Sequence, residues 1–287
     1  MLISVRNDGV QAVTQPDHAR VAGALAAAWG NERLGFEALS DSLKIAAARH
    51  DDGWEVLDGA PAVAAGTGRP AHFLEVPLEA TVGPYGAGVE RIYADDVYAG
   101  VLSSRHWAGL YSARWGVQDS PLLDHPLARE VADAQDQRAA AEARGLWADR
   151  GGLRSAFEAA LWHDYEVLQT LDFISLALCL VDVREPTAAA EAHVAVPATL
   201  RGVVQPPGAR LVPMVPLAGS HVTMRMCVLE PSVVEVDPYP FASDSLVVGV
   251  PTRSVPAVSD SSDEVVRETY LATDTVTLPI TLVGKDG

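Results

Sequence analysis

The chain has 287 residues, 38 acidic against 21 basic, giving a formal net charge of −17, and 48% of it is hydrophobic. That length and apolar content can bury a full core in one large domain or two modest ones, and they exclude a disordered chain. The acidity excludes a general electrostatic attraction to nucleic-acid polymers or anionic membranes.

Lysine occurs only at Lys44 and Lys285, so the basic side chains are almost all guanidinium forks, which suit carboxylate or phosphate recognition. Cys179 and Cys227 lie in apolar runs and read as buried free thiols, not a disulfide or a metal pair. No basic start followed by an apolar stretch marks a signal peptide, and the longest apolar run, near Phe173–Val181, is too short to span a bilayer. The expectation is a cytoplasmic protein acting on a small molecule, with neither membrane nor nucleic-acid partner; a homo-oligomer is compatible with the sequence.

Met1–Thr14 reads as an extended segment with an Asn-Asp-Gly turn at Asn7–Gly9. Asp17 then serves as the expected N-cap of a first helix, in which His18, Val21, Ala22, Leu25 and Trp29 recur at helical spacing until Gly30-Asn31. A second helix from about Glu37 to Arg49 delivers His50-Asp51. Leu39, Leu43, Ala46 and His50 share its inner face. Asp52–Pro77 is rich in Gly, Pro and Asp and reads as a long irregular connection, of a length that usually covers a site. Leu78–Tyr93 reads as weakly helical, interrupted by Gly83, Gly86 and Gly88.

Val97–Arg114 forms a further helix, with His106 one turn after the inward Leu102. His125-Pro126 breaks the chain, and Leu127–Trp147, alanine-rich and charged, reads as a solvated surface helix. Gly151–Val181 is the longest apolar helix. Asp172 sits in its inner stripe among leucines, where an unpaired carboxylate is costly and calls for a cation, a metal or hydrogen-bond donors. After Arg184, short β-branched runs alternate with Pro and Gly. His193–Val196, Leu200–Val204, Arg210–Val215, His221–Leu229, Val233–Val236, Leu246–Val250 and Thr275–Val283 read as strands of a mainly antiparallel sheet. A polar loop at Ser259–Glu264 leads into a short helix or another strand. The expected fold is α+β: a mainly helical bundle over 1–183 and a β-rich subdomain over 184–287.

His18, His50, Asp51, His106 and Asp172 thus fall on inner helix faces. Three imidazoles and two carboxylates suit one or two divalent transition-metal ions, Mn, Fe, Co, Ni or Zn. Neither CxxC nor HExxH is present, which argues against zinc-finger and zincin sites. The remaining histidines read plainly: His163-Asp164 as a mid-helix surface or supporting pair, His125 as a turn residue, His193 and His221 as exposed strand starts. The tryptophans read mostly as core, with Trp54 and Trp107 adjoining the site as walls of a pocket.

The order of these residues resembles the HD-domain superfamily, whose members carry an early histidine, a His-Asp pair ending the next helix, and a distant aspartate. Asp17–Ala26, Leu43–Gly53 and Leu171–Leu176 carry the resemblance, which covers about 15–180. His-Asp-x-Gly-Trp at 50–54, Ser-x-His-x-x-Gly-Leu-Tyr at 104–111 and Asp-Pro-Tyr-Pro-Phe at 237–241 are similar to a bacterial family of unknown function that spans both parts of the chain. The superfamily resemblance implies metal-dependent hydrolysis of a small phosphate-containing substrate, a nucleotide being one. It assigns His18, His50, Asp51 and Asp172 as ligands, and His106 as a further ligand or phosphate contact. Arg49, Arg69 and Arg105 become phosphate clamps, Trp54 a substrate wall, and Glu55 or Asp58 the group that orients water beside Asp51. Trp54 stands where the hydrolases carry a carboxylate after the glycine. A second branch of the superfamily implies a di-iron oxygenase, which needs His72 as a fourth histidine. A third reading is a non-enzymatic metal-binding regulatory module, with the β-rich part as its partner surface.

Overall fold

The computed structural model describes residues 1–6, 9–114, 121–180, 204–205, 209–217, 220–256, 258 and 262–285. The expected turn at Asn7-Asp8, the strand at His193–Val196 and most of that at Leu200–Val204 lie outside them.

Strands β1 (Leu2–Arg6) and β2 (Gly9–Val13) pair as an antiparallel hairpin. They do not show the buried–exposed alternation of a one-sided sheet, because both faces are covered. Leu2 and Val13 join the main core, while Ile3, Val10 and Ala12 pack with Val255 and Tyr270 in a second one.

Thr14 then starts α1 (Gln15–Ala28): its hydroxyl accepts the Asp17 backbone N–H at 3.1 Å. The helix therefore begins before the expected cap. Asp17 sits instead in the first turn, where its charge suits the helix N-terminus. Ser40 caps α2 (Asp41–Arg49), so the expected start at Glu37 moves to Asp41. The connection after α2 is less irregular than expected. It holds a 3-10 turn at Asp52–Trp54, α3 (Glu55–Gly59) and a second 3-10 turn at Phe73–Glu75.

The segment expected to be weakly helical is the continuous helix α4 (Leu78–Asp95), with Pro84 inside it. Its glycines are there for contact. A Cβ on Gly88 would lie 2.5 Å from the Gly53 nitrogen, and one on Gly53 would lie 2.5 Å from the Tyr85 Cα. Two glycines thus let the turn after His50-Asp51 lie directly on α4. Gly88→Ala is expected to force that turn outward, with an overpacking cost of about 1–3 kcal/mol. A melting temperature lowered by several degrees checks this, and an unchanged melt would contradict it.

Helices α5 (Val97–Leu110), α6 (Pro126–Arg150) and α7 (Arg154–Leu180) complete the bundle. Asp96 caps α5 through the Ala99 N–H and also accepts from Ser42 on α2 at 2.8 Å, tying the two helices together. α6 is polar outward but buries a narrow face of Ala128, Val131, Ala132, Ala139 and Ala143, against α5.

The strands that follow are β3 (Val204–Gln205), β4 (Ala209–Leu217), β5 (Ser220–Glu230), β6 (Val233–Asp237), β7 (Ser245–Pro256) and β8 (Val276–Gly284), with α8 (Asp263–Ala272) before the last. The sheet order is β1-β2-β7-β8-β6-β5-β4-β3, antiparallel except for β6 with β8. Strands therefore come from both sides of residue 184, and one hydrophobic core runs through helices and sheet.

The Asp-Pro-Tyr-Pro-Phe segment is the fastener between them. The Gly30 and Asn31 N–H groups donate to the Pro240 carbonyl, the Asn31 side chain donates to Tyr239, and Trp29 meets Phe241 edge-on. The end of the helix that carries His18 is thereby fixed to the sheet. Among the described residues no helix is long and apolar enough to cross a membrane, and Cys179 and Cys227 are free, the first buried.

Candidate metal centre

Four helices deliver five donors to one point. His18 comes from the first turn of α1, His50 from the end of α2 and Asp51 from the residue after it. His106 comes from α5 and Asp172 from α7. None is more than 5% exposed. His18 Nε2 lies 3.1 Å from Asp172 Oδ1 and 3.3 Å from Asp51 Oδ2. His50 Nε2 lies 3.3 Å from His18 Nε2, 3.4 Å from Asp172 Oδ1 and 3.7 Å from Asp51 Oδ2. His106 Nε2 lies 3.8 Å from Asp172 Oδ2. Donors bonded to one ion at about 2.1 Å sit about 3.0 Å apart at octahedral angles and about 3.4 Å apart at tetrahedral ones. The observed separations fall at and just beyond that range. Two groups, His18-His50-Asp51 and His50-His106-Asp172, can each hold a metal ion, and they share His50.

The outer faces of the rings decide which way their lone pairs point. Ser175 Oγ donates its single proton to the Asp172 carbonyl at 2.8 Å, so it can only accept from His18 Nδ1, 2.7 Å away. His50 Nδ1 lies 3.0 Å from the Ala47 carbonyl, which likewise can only accept. Both rings are thereby held with the proton on Nδ1, and both Nε2 lone pairs point inward at each other. Two such lone pairs 3.3 Å apart, beside two carboxylates, need a cation or a proton between them. Ser175→Ala is expected to weaken metal binding about 10- to 100-fold while leaving all five donors in place. Metal titration of the variant checks this, and an unchanged affinity would contradict the orienting role.

Without a metal, the charges are held by protons. Burial lowers the His18 pKa, but hydrogen bonds to Asp172 and Asp51 outweigh it and raise it to about 9. His50 is raised in the same way, against burial, by the Asp51 charge and Asp172. Despite burial, the histidines keep Asp51 below the usual carboxylate range and Asp172 well below it. His106 is lowered to about 4, by burial above all, so its ring is neutral. Its Nδ1 is buried with no hydrogen-bond partner among the described residues.

Tyr85, which the sequence did not single out, stands against this cluster. Its ring stacks on Trp107 at 4.7 Å, and its buried hydroxyl faces Asp51. Burial, then the Asp51 charge, raises its pKa. Ser175 had a signal, one helical turn after Asp172 on the same face. Tyr85 had none, because it reaches the site only through the contact between Gly53 and α4.

The other expected site residues lie elsewhere or are already engaged. Glu55 is exposed. Asp58 is buried and accepts from the Met1 ammonium and the Gln15 N–H. Arg49 is paired with Asp52 and Asp95, and Arg69 forms a two-bond fork with Glu75. Trp54 is a core residue, edge-on to Phe73. His72 joins neither donor group. Its Nδ1 accepts the Leu74 N–H, capping a 3-10 turn, and burial pushes its pKa down to about 3. Arg105 makes no hydrogen bond or ion pair among the described residues, and its Nε is buried. Asp164 accepts from the Tyr98 hydroxyl, and His221 pairs with Glu166 on the surface.

The family described as "Protein of unknown function (DUF3891)" matches residues 1–257. The chain belongs to this family. The match runs from the first strand through β7, so the DUF3891 unit includes all five donors and the fastening segment at 237–241. No curated protein and no solved structure matches the chain.

Proposed function

We propose that the protein is a metal-dependent hydrolase of the HD type. Its centre holds one divalent transition-metal ion through His18, His50, Asp51, His106 and Asp172, and acts on a small phosphate-containing substrate. The observation that carries this reading is the pair of facing Nε2 lone pairs, each fixed by an engaged Nδ1, with two carboxylates around them. A bound divalent ion supplies Lewis acidity there, polarising a phosphoryl oxygen and lowering the pKa of a water. The chain's own residues do the rest. Asp51 and Asp172 stay ionised and offset the positive charge. Asp51 can accept a proton from a water beside it. The Tyr85 hydroxyl, beside Asp51, can donate to a substrate oxygen. Donors this buried favour a small reacting group over a polymer.

A single ion is favoured because the two donor groups share His50, and His72 belongs to neither. The oxygenase reading depends on that histidine and is correspondingly less supported.

The test is metal analysis of untagged protein, followed by assays on p-nitrophenyl phosphate and a panel of nucleotides. The expected result is about one Mn, Fe, Co, Ni or Zn per chain, with phosphate release abolished by Asp51→Ala. Two irons per chain with a near-infrared mixed-valence band would overturn the reading in favour of an oxygenase. Metal-loaded protein inert toward every phosphate ester would overturn it in favour of a binding or regulatory module.

A further inference from the structure

We propose that a cleft between α5, α6 and α7, separate from the metal centre, binds an organic oxyanion: a phosphate or carboxylate head on a flat apolar body. The cleft has a cavity volume of about 90 Å³. Arg105, Arg144 and Arg154 line it together with Trp147, Phe157 and Leu161. The turn at Gly151-Gly152, both at positive φ, joins α6 to α7, and side chains of both helices line the cleft with α5. Arg144 and Trp147 are three residues apart on α6, as Arg154 and Phe157 are on α7, so each pair shares a helix face.

Three guanidinium groups in one cleft stand out in a chain of net charge −17. Among the described residues, Glu158 is the only acidic group lining it. It accepts from the Arg154 Nε at 2.8 Å, an exposed pair in which the terminal nitrogens of Arg154 have no partner among the described residues. Several arginines elsewhere are held by carboxylates: Arg49 by Asp52 and Asp95, Arg69 by Glu75, Arg114 by Asp136, Arg138 by Glu90. Arg105 and Arg144 have no such partner among the described residues. Arg105 moreover buries its Nε unpaired, a cost that an arriving oxyanion relieves. Trp147 is held by its indole N–H, which donates to the Gly152 carbonyl at 3.2 Å, and with Phe157 it gives the cleft two aromatic lining groups. The head group follows from the guanidinium forks and the flat body from these two rings.

The site is also linked to the metal centre. Arg105 directly precedes His106 on α5, and consecutive side chains on a helix diverge by about 100°. One helix thus presents a cation to the cleft and a donor to the metal.

The experiment is calorimetric titration of the full-length protein after removal of metal, which separates this cleft from any binding at the metal centre. The probes are phenyl phosphate, benzoate, inorganic phosphate and benzyl alcohol. Phenyl phosphate or benzoate is expected to bind at one site per chain, at least tenfold more tightly than inorganic phosphate or the uncharged alcohol, and more weakly as salt is added. Whichever aromatic anion binds more tightly names the head group. Arg105→Met should cost at least tenfold in affinity. Arg144→Met should also weaken binding, and it guards against misfolding of the first variant. Arg105→Lys should fall between Arg105→Met and the parent, since it keeps the charge and loses the fork. The proposal is overturned by the absence of saturable binding of either aromatic anion at millimolar concentration. It is equally overturned by affinities unchanged in a folded Arg105→Met, Arg144→Met double variant.

Discussion

Asp172→Asn is expected to abolish metal binding: the metal content of purified protein should fall below a tenth of the parent's, and added metal should no longer raise the melting temperature. Asp172 is the residue on which the centre converges. Oδ1 approaches both His18 and His50, and Oδ2 faces His106, so one carboxylate touches three of the other four donors. The amide conserves shape but removes the negative charge and turns one acceptor into a donor aimed at imidazole lone pairs. It also leaves a charged His18 with only Asp51 as a buried counterion. Removing one partner of a buried ion pair typically costs about 3–5 kcal/mol. The metal-free variant should therefore melt lower than metal-free parent as well as failing to respond to metal. Inductively coupled plasma analysis and thermal melts with and without chelator separate the two effects. If Asp172→Asn binds metal as the parent does, the donor set is wrong.

The donors were legible because helical periodicity is a local property. His18, His106 and Asp172 recur in phase with core leucines and alanines, and His50 shares a face with Leu43 and Ala46. The sequence therefore placed them inward without knowing what they face. Asp51 entered only through its adjacency to His50. What was not legible is long-range. The glycines of α4 weaken a helix on propensity alone, yet here they let Gly53 and Gly88 touch, a contact no local window contains. The same contact carries Tyr85 to the site. Arg49, Arg69 and Asp58 looked available because their partners are ordinary surface acids, an N–H and an ammonium, with nothing in their spacing to mark them. From Arg210 onward the β-rich texture was read correctly as strands, but two further strands of that sheet come from the N-terminus. A hairpin covered on both faces shows no alternation to connect it with the rest.

Metal-free protein is expected to be most stable near pH 6.5 and to lose stability as the pH rises toward 9. His18 has a folded pKa of about 9 against an ordinary 6.5, and His50 is raised in the same direction. A folded-state pKa above the unfolded one means that the folded chain keeps a proton the unfolded chain has released. The stabilisation is fully present below about pH 6.5 and is lost as pH climbs through the folded value. For His18 alone the difference amounts to about 3 kcal/mol, a fall of roughly 6–12 °C in melting temperature for a chain of this size. On the acid side the sign reverses. His106 and His72 have folded pKa values of about 4 and about 3, so below pH 6.5 the unfolded chain takes up protons that the folded one refuses, and stability falls again. Metal changes only the alkaline limb. A divalent ion takes the place of the proton between the two Nε2 atoms, so binding releases protons and tightens as pH rises. The gap in melting temperature between metal-loaded and chelator-treated protein should therefore widen steadily from pH 6.5 to 9, and it should shrink to nothing in Asp172→Asn. A metal-free melt that is flat across that range, or a metal-induced increment independent of pH, would mean that no proton sits where the ion is expected to bind.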